Sequence, residues 1–221
     1  MDPITIALAL GVFIFTSMGY NWKTIIIFLT GKKLAVLGDK GTGKTTLLNY
    51  LIKKVLSQGY YQTRYVHDTD EQRFYLNDKW ISLKKSKDVG GDTSFHDEWE
   101  KLFKESDLIF YMVRSNLLIN DDPETNNRVK DDLELIQGWR NKYDSNNRKK
   151  LLIICTFCDL LDINELNRNL PRKIGSDELS NNFPILYKAG VGMKVVLGSL
   201  FDDNNNDNTR KLVELIFQET K

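Results

Sequence analysis

Two cysteines and two histidines in 221 residues leave little material for a disulfide framework or a metal centre. Cys155 and Cys158 share one strand-like run, LLIICTFCD, which suits a reducing compartment. As C-x-x-C they could form a redox pair or half of a zinc site, but no second cysteine pair exists and only His67 and His96 could complete the ligands. Excess charge is missing too. Thirty-one basic residues against thirty acidic ones leave a net charge of +1, so bulk electrostatics gives no pull toward nucleic acid and none is expected as a partner. No internal repeat is present. The length suits one sizeable core with a short appendage.

Charge is absent from Ile4 to Tyr20, ITIALALGVFIFTSMGY, and a second apolar run, TIIIFL, follows the polar break NWK. This sits at the short end of a bilayer span, for which about 20 residues are typical, and Lys23 could snorkel to extend it. A cleaved signal peptide is disfavoured, since only Met1, Asp2 and Pro3 precede the run and no A-x-A-like site follows. A buried core helix is the other reading of such a stretch. Lys23, Lys32 and Lys33 flank its C-terminal side, which places the remainder in the cytoplasm by the positive-inside rule. The expected layout is a single-pass transmembrane anchor over 1–31 and a second domain over 32–221.

Beyond Lys33, short apolar runs alternate with amphipathic stretches. Strands are predicted at 34–38, 72–76, 80–85, 108–113, 151–156 and 194–199. Helices are predicted from Lys44 to Ser57, Phe95 to Lys104, Pro123 to Tyr143, Asp162 to Asn167 and Asn208 to Thr220. The alternation predicts an α/β fold: a mostly parallel six-stranded sheet with helices on both faces. LIFYMV and LLIICT look like central strands, whereas QRFYL and WISLKK carry polar residues at edge-like positions. Arg172 to Val191 looks irregular, and DDNNNDN looks like a solvated loop.

Between the first strand and the first helix lies Gly38-Asp39-Lys40-Gly41-Thr42-Gly43-Lys44-Thr45-Thr46, a full match to the Walker A phosphate loop in its proper context. Backbone amides of such a loop wrap nucleotide phosphates at a helix N-terminus. Lys44 is expected on the β- and γ-phosphates and the Thr45 hydroxyl on Mg2+. Asp88-Val89-Gly90-Gly91 follows the WISLKK run. Alone it is a turn signal; after a phosphate loop, Asp88 can reach Mg2+ and the Gly91 amide a γ-phosphate.

With these motifs the chain resembles a small GTPase of the Ras superfamily, and DVGG is similar to the Arf-like branch and to the beta subunit of the signal recognition particle receptor, which also carries an N-terminal anchor. The resemblance covers about residues 32 to 220 and implies a P-loop G domain binding GTP or GDP with Mg2+. It implies Thr63, or alternatively Thr69, as the switch threonine on Mg2+. Asp92 stands where most of the family has a water-orienting glutamine; a carboxylate beside the γ-phosphate implies slow hydrolysis. His96 could substitute, or could lie on a surface helix turn capped by Asp92 or Ser94. The guanine motif N/T-K-x-D falls on Thr156-Phe157-Cys158-Asp159. Asp159 would accept from the guanine N1 and N2 donors, Phe157 would stack where the family has lysine, and Thr156 stands for asparagine. Ser199-Leu200 resembles the last motif, of which only the serine matches, and the long interval before it implies an inserted loop near Arg172 to Val191.

The expected function is a membrane-anchored GTPase-like switch whose state a protein partner reads. A pseudo-GTPase assembly subunit with structural nucleotide, or a P-loop ATPase, is the alternative. A P-loop kinase would need an acceptor site and an arginine-rich lid, which the sequence lacks.

Overall fold

The computed structural model describes residues 32–57, 66–68, 71–76, 79–85, 96–161, 172–173, 175–189, 193–201 and 207–220. In chain order the elements are β1 (Lys33–Gly38), α1 (Lys44–Ser57), β2 (Val66–Asp68), β3 (Glu71–Leu76), β4 (Lys79–Lys85), α2 (His96–Glu105) and β5 (Leu108–Arg114). There follow α3 (Ser115–Ile119), α4 (Pro123–Tyr143), β6 (Lys150–Thr156), a 3-10 turn (Cys158–Leu160), β7 (Arg172–Lys173), α5 (Ser176–Asn182), α6 (Pro184–Ala189), β8 (Lys194–Leu197) and α7 (Asn208–Thr220).

The strands form one eight-stranded sheet in the order β2-β3-β4-β1-β5-β6-β8-β7. Its centre, β4-β1-β5-β6-β8, is parallel throughout, whereas β2 and β3 extend one side and β7 the other in antiparallel fashion. Six strands were expected; the two additional ones, β2 and β7, are only three and two residues long and too short to show a period-2 pattern. A further correction concerns β4, whose polar residues suggested an edge. It is paired on both sides, with β1 and β3.

Why β5 and β6 hold the centre follows from their composition. A parallel strand covered by helices on both faces needs apolar side chains at successive positions, and LIFYMV and LLIICT supply them. Alternate residues then serve opposite faces. Leu34, Val36, Phe110, Met112, Leu152 and Ile154 pack under α1 and α7 against Leu47, Leu51, Leu212 and Phe217. Ala35, Leu37, Tyr111, Val113, Ile153 and Cys155 face α2, α4, α5 and α6, meeting Trp99, Phe103, Leu133, Ile136, Leu179 and Leu186. Full burial of one such large side chain contributes about 1.5–3 kcal/mol, so these two layers dominate stability.

Helix α4 starts where the sequence sets it. Asp122 caps it by accepting from the Thr125 amide at 2.8 Å, and Pro123 occupies the first helical turn, where no amide hydrogen is needed. The segment expected to be irregular, Arg172 to Val191, contains β7, α5 and α6, packed through Leu179, Phe183 and Leu186. The predicted helix Asp162 to Asn167 and the predicted anchor over 1–31 lie outside the described residues. Among the described residues no helix is long and apolar enough to cross a membrane.

Candidate functional site

Parallel strands β1, β5, β6 and β8 end on the same edge of the sheet, and the crevice beyond such ends is where open α/β sheets place ligands. The Walker-type turn occupies that edge after β1. Gly38, Gly41 and Gly43 take φ of +136°, +75° and +93°, positive-φ positions that glycine adopts without strain and that let the loop curl. The Asp39 carbonyl closes the curl, accepting from the Thr42 hydroxyl at 2.9 Å and from the Lys44 ammonium at 2.7 Å. Lys44 is only 4% exposed, so its charge is held within the loop and not in bulk water. Lys40 and Gly41 form an exposed crest, and Thr45 and Thr46 lie on the first turn of α1, half-buried and exposed respectively.

Thr156 joins this loop to the turn after β6. Its hydroxyl lies 3.0 Å from the Thr42 carbonyl and 3.1 Å from that of Val113, and the residue is 1% exposed. The family resemblance set Thr156 in an asparagine's place on the nucleotide; here its hydroxyl is engaged with backbone. Thr156→Val removes the donor and leaves buried carbonyls short of a partner, so a loss of about 1–2 kcal/mol is expected. Equilibrium urea unfolding checks this. A midpoint equal to that of the parent would mean the tie contributes nothing.

Beyond Thr156 the backbone turns sharply. Phe157 has φ +60°, and the Cys158 amide bonds the Gly198 carbonyl at 3.3 Å, drawing the 3-10 turn against the end of β8. Asp159 and Ser199 thereby meet: the serine hydroxyl donates to Oδ1 at 2.5 Å and accepts from the Phe201 amide at 3.1 Å. Asp159 is half-buried with its orientation fixed from one side. The Leu200 side chain packs on the apolar layer under α1, with Cδ1 2.7 Å from where a Gly43 Cβ would stand, which is compatible with the backbone contact that the last motif implies. Leu160 and Phe201, next to Asp159 and Leu200, are the exposed apolar residues of this rim, at 57% and 61%.

Phe157 was expected to stack on a base. One side of its ring is taken: the Arg114 guanidinium lies over it, 4.8 Å from the centroid. Arg114 is not among the residues that the sequence motifs single out. The alternation of β5 held the signal that could have found it, because Phe110 and Met112 face α1 and the loop, and Arg114 continues that row.

His96 opens α2, five residues after Gly91 of the DVGG segment. It was expected on a surface helix turn, but it is half-buried, with Nε2 3.2 Å from Asp132 Oδ1 on α4. Asp132 is fully buried and is also met by Tyr111 Oη at 3.0 Å and Arg128 Nε at 3.0 Å. Burial, followed by the Asp132 charge, pushes the Tyr111 hydroxyl well above its ordinary pKa, so it stays a donor. Tyr111 is the register partner of Leu37, the residue before Gly38, so this network begins beside the strand that leads into the phosphate loop.

Thr63, Thr69, Asp88, Gly91 and Asp92 lie outside the described residues. Of the expected Mg2+ ligands only Thr45 is described, and among the described residues no three His, Cys, Asp or Glu side chains gather as a metal site. Cys155 and Cys158 are buried and not joined in a disulfide, and burial, with Cys158 beside it, pushes the Cys155 thiol well up. A protonated buried thiol is poorly suited to redox or metal chemistry.

No family model matches the chain, and no curated protein matches it. Among solved structures it is similar to a GTP-binding protein from the hyperthermophilic archaeon Sulfolobus solfataricus in complex with GDP, with a TM-score of 0.48 and 15% identity. The likeness covers 89% of this chain and 54% of that one, so this chain spans about half the length of that protein.

Proposed function

We propose that the chain binds a guanine nucleotide through its phosphate loop and works as a GTPase-like switch held at a membrane by the segment over 1–31. The observation that carries the reading is the Thr156 tie. One buried hydroxyl fastens the curled, lysine-bearing loop to the turn that presents Asp159, so groups suited to phosphate and groups suited to a base share one sheet edge.

The residues fit such a ligand chemically. The Lys44 ammonium, kept from water, interacts with phosphate charge more strongly than an exposed lysine does. A carboxylate has about four lone-pair sites. Ser199 uses one on Asp159, which leaves room for the N1 and N2 donors of guanine and offers adenine's acceptor edge nothing. Thr45, with Thr63 and Asp88, would hold Mg2+, which when bound neutralises charge on the phosphate oxygens. Asp92 beside a γ-phosphate implies slow turnover, so a protein partner that reads the DVGG segment could supply the missing group. The second reading, a pseudo-GTPase with structural nucleotide, rests on the same Asp92.

Equilibrium binding of GTP, GDP and ATP to the full chain tests the proposal. Guanine nucleotides should bind at least about tenfold more tightly than ATP, and Asp159→Ala should erase that preference. Lys44→Ala should weaken all three by about 100-fold, the scale of a lost charge-assisted contact. Equal affinity for ATP and GTP, unmoved by Asp159→Ala, would sink the guanine assignment. Single-turnover phosphate release that vanishes in Lys44→Ala separates a slow enzyme from a pseudo-enzyme.

A further inference from the structure

Arg114 is an unusual arginine. It ends β5 opposite Thr156, and its side chain runs beneath the phosphate loop, with Nη1 3.9 Å from the position of a Gly41 Cβ. Its guanidinium lies over the Phe157 ring, yet Nε is buried and has no hydrogen-bond partner among the described residues. Among the described residues no carboxylate forms an ion pair with it; the Asp122 side chain feels its charge but already accepts from the Thr125 amide. A buried orphan donor on a charged group is costly and calls for an explanation, of which a bound ligand is one.

We propose that Arg114 is a nucleotide-binding residue whose guanidinium, held over the Phe157 ring beside Gly41, clamps the nucleoside end of the nucleotide between the phosphate loop and Asp159. The inference rests on the nucleotide reading above and adds to it a residue and a part of the ligand. Three features give this role its chemistry. The guanidinium is already held over the aromatic ring, so less side-chain freedom remains to be lost on binding. The donors not covered by the ring are suited to ribose and α-phosphate oxygens. The Phe157 main chain is held in the left-handed region by a turn anchored on Gly198, and the same turn presents Asp159 two residues on. Arg114 and Phe157 thus act as one unit placed between the phosphate and base subsites, where Lys44 and Asp159 serve the two ends.

Titration calorimetry of the full chain with GDP, GMP and inorganic pyrophosphate tests this. Arg114→Ala should weaken GDP and GMP by about tenfold or more while pyrophosphate, gripped by the loop and Lys44, stays within about twofold. Arg114→Lys should not restore affinity, because an ammonium lacks the planar fork. Phe157→Ala should reproduce the defect, and the double variant should be no worse than either single one. The unfolding midpoint of nucleotide-free Arg114→Ala should match or exceed that of the parent, since the change removes an orphan donor. GDP affinity within twofold of the parent overturns the assignment, and so does an equal loss of GDP and pyrophosphate, which would mark a role in supporting the loop. Parent protein that binds none of the probes, with Lys44→Ala unchanged from it, overturns the nucleotide reading itself and this inference with it.

Discussion

Gly38→Ala is expected to cost about 4 kcal/mol of folding stability, a large share of the 5–15 kcal/mol typical of a domain. Two effects add. At φ +136° an alanine sits in a region that L side chains rarely adopt, a strain of about 1–3 kcal/mol. Its methyl would also stand 2.3 Å from the Met112 carbonyl oxygen, and that atom belongs to the backbone of a central strand. It cannot rotate aside. Relief requires β1 and β5 to part where Gly38 and Met112 are register partners, and forced overpacking of this kind costs about 1–3 kcal/mol. Gly41→Ala is the control: it too has positive φ, but its nearest contact is Arg114 Nη1 at 3.9 Å. About 1 kcal/mol is expected there. Chemical unfolding of both variants decides; if the two lose equal stability, the Met112 contact is not what excludes a side chain at Gly38.

Asp132→Ala carries the second large effect, about 3 kcal/mol, the lower end of the range for breaking a buried ion pair from one side. Asp132 is the hub of a network whose other members have no substitute acceptor among the contacts described. Tyr111 is nearly fully buried and would lose its carboxylate partner beneath α4. Burial works against the Arg128 charge, but its hydrogen bond to Asp132 and that carboxylate's charge outweigh burial and hold the guanidinium ionised. The estimate stays at the lower end because Arg128 and His96 are 17% and 21% exposed in their side chains and can turn toward water. Asp132→Asn should recover less than half of the loss, since its amide must present a donor to other donors. Unfolding midpoints measure both changes. A shift below about 0.5 kcal/mol in Asp132→Ala would show the network to be dispensable.

Local rules made much of this architecture legible. Six strands and four of the five predicted helices are found close to their expected bounds, because LIFYMV and LLIICT are too apolar to lie anywhere but the centre and Asp122-Pro123 announces a helix start. Tertiary pairing decided the rest. Arg172-Lys173 gains strand geometry only from β8 beside it, and SDELSNN is too short and polar to show a helical stripe, so its helix follows from Leu179 and Phe183 packing beneath it. At the site, residue type was readable and direction was not. Thr156 could have faced solvent or ligand as easily as the Thr42 carbonyl, and the alternation that turns Arg114 at the end of β5 toward the loop gives no hint that Phe157, just after β6, will lie against it. His96 shows the same limit, since its partner Asp132 lies on α4, a separate helix.

The way β1 is held has a consequence for how the protein comes into being. Among the described elements β1 comes first, but its neighbours are β4 and β5, and the last tie on its loop comes from Thr156 at the end of β6. A chain leaving the ribosome therefore displays the phosphate-loop motif long before it can hold that loop in shape. Contacts closed over such separations carry the loop-closure cost that slows parallel sheets, so the tied form of this loop is expected late in folding. A nascent chain halted short of Thr156 would carry every residue of the motif and still lack the clasp that joins it to the Asp159 turn.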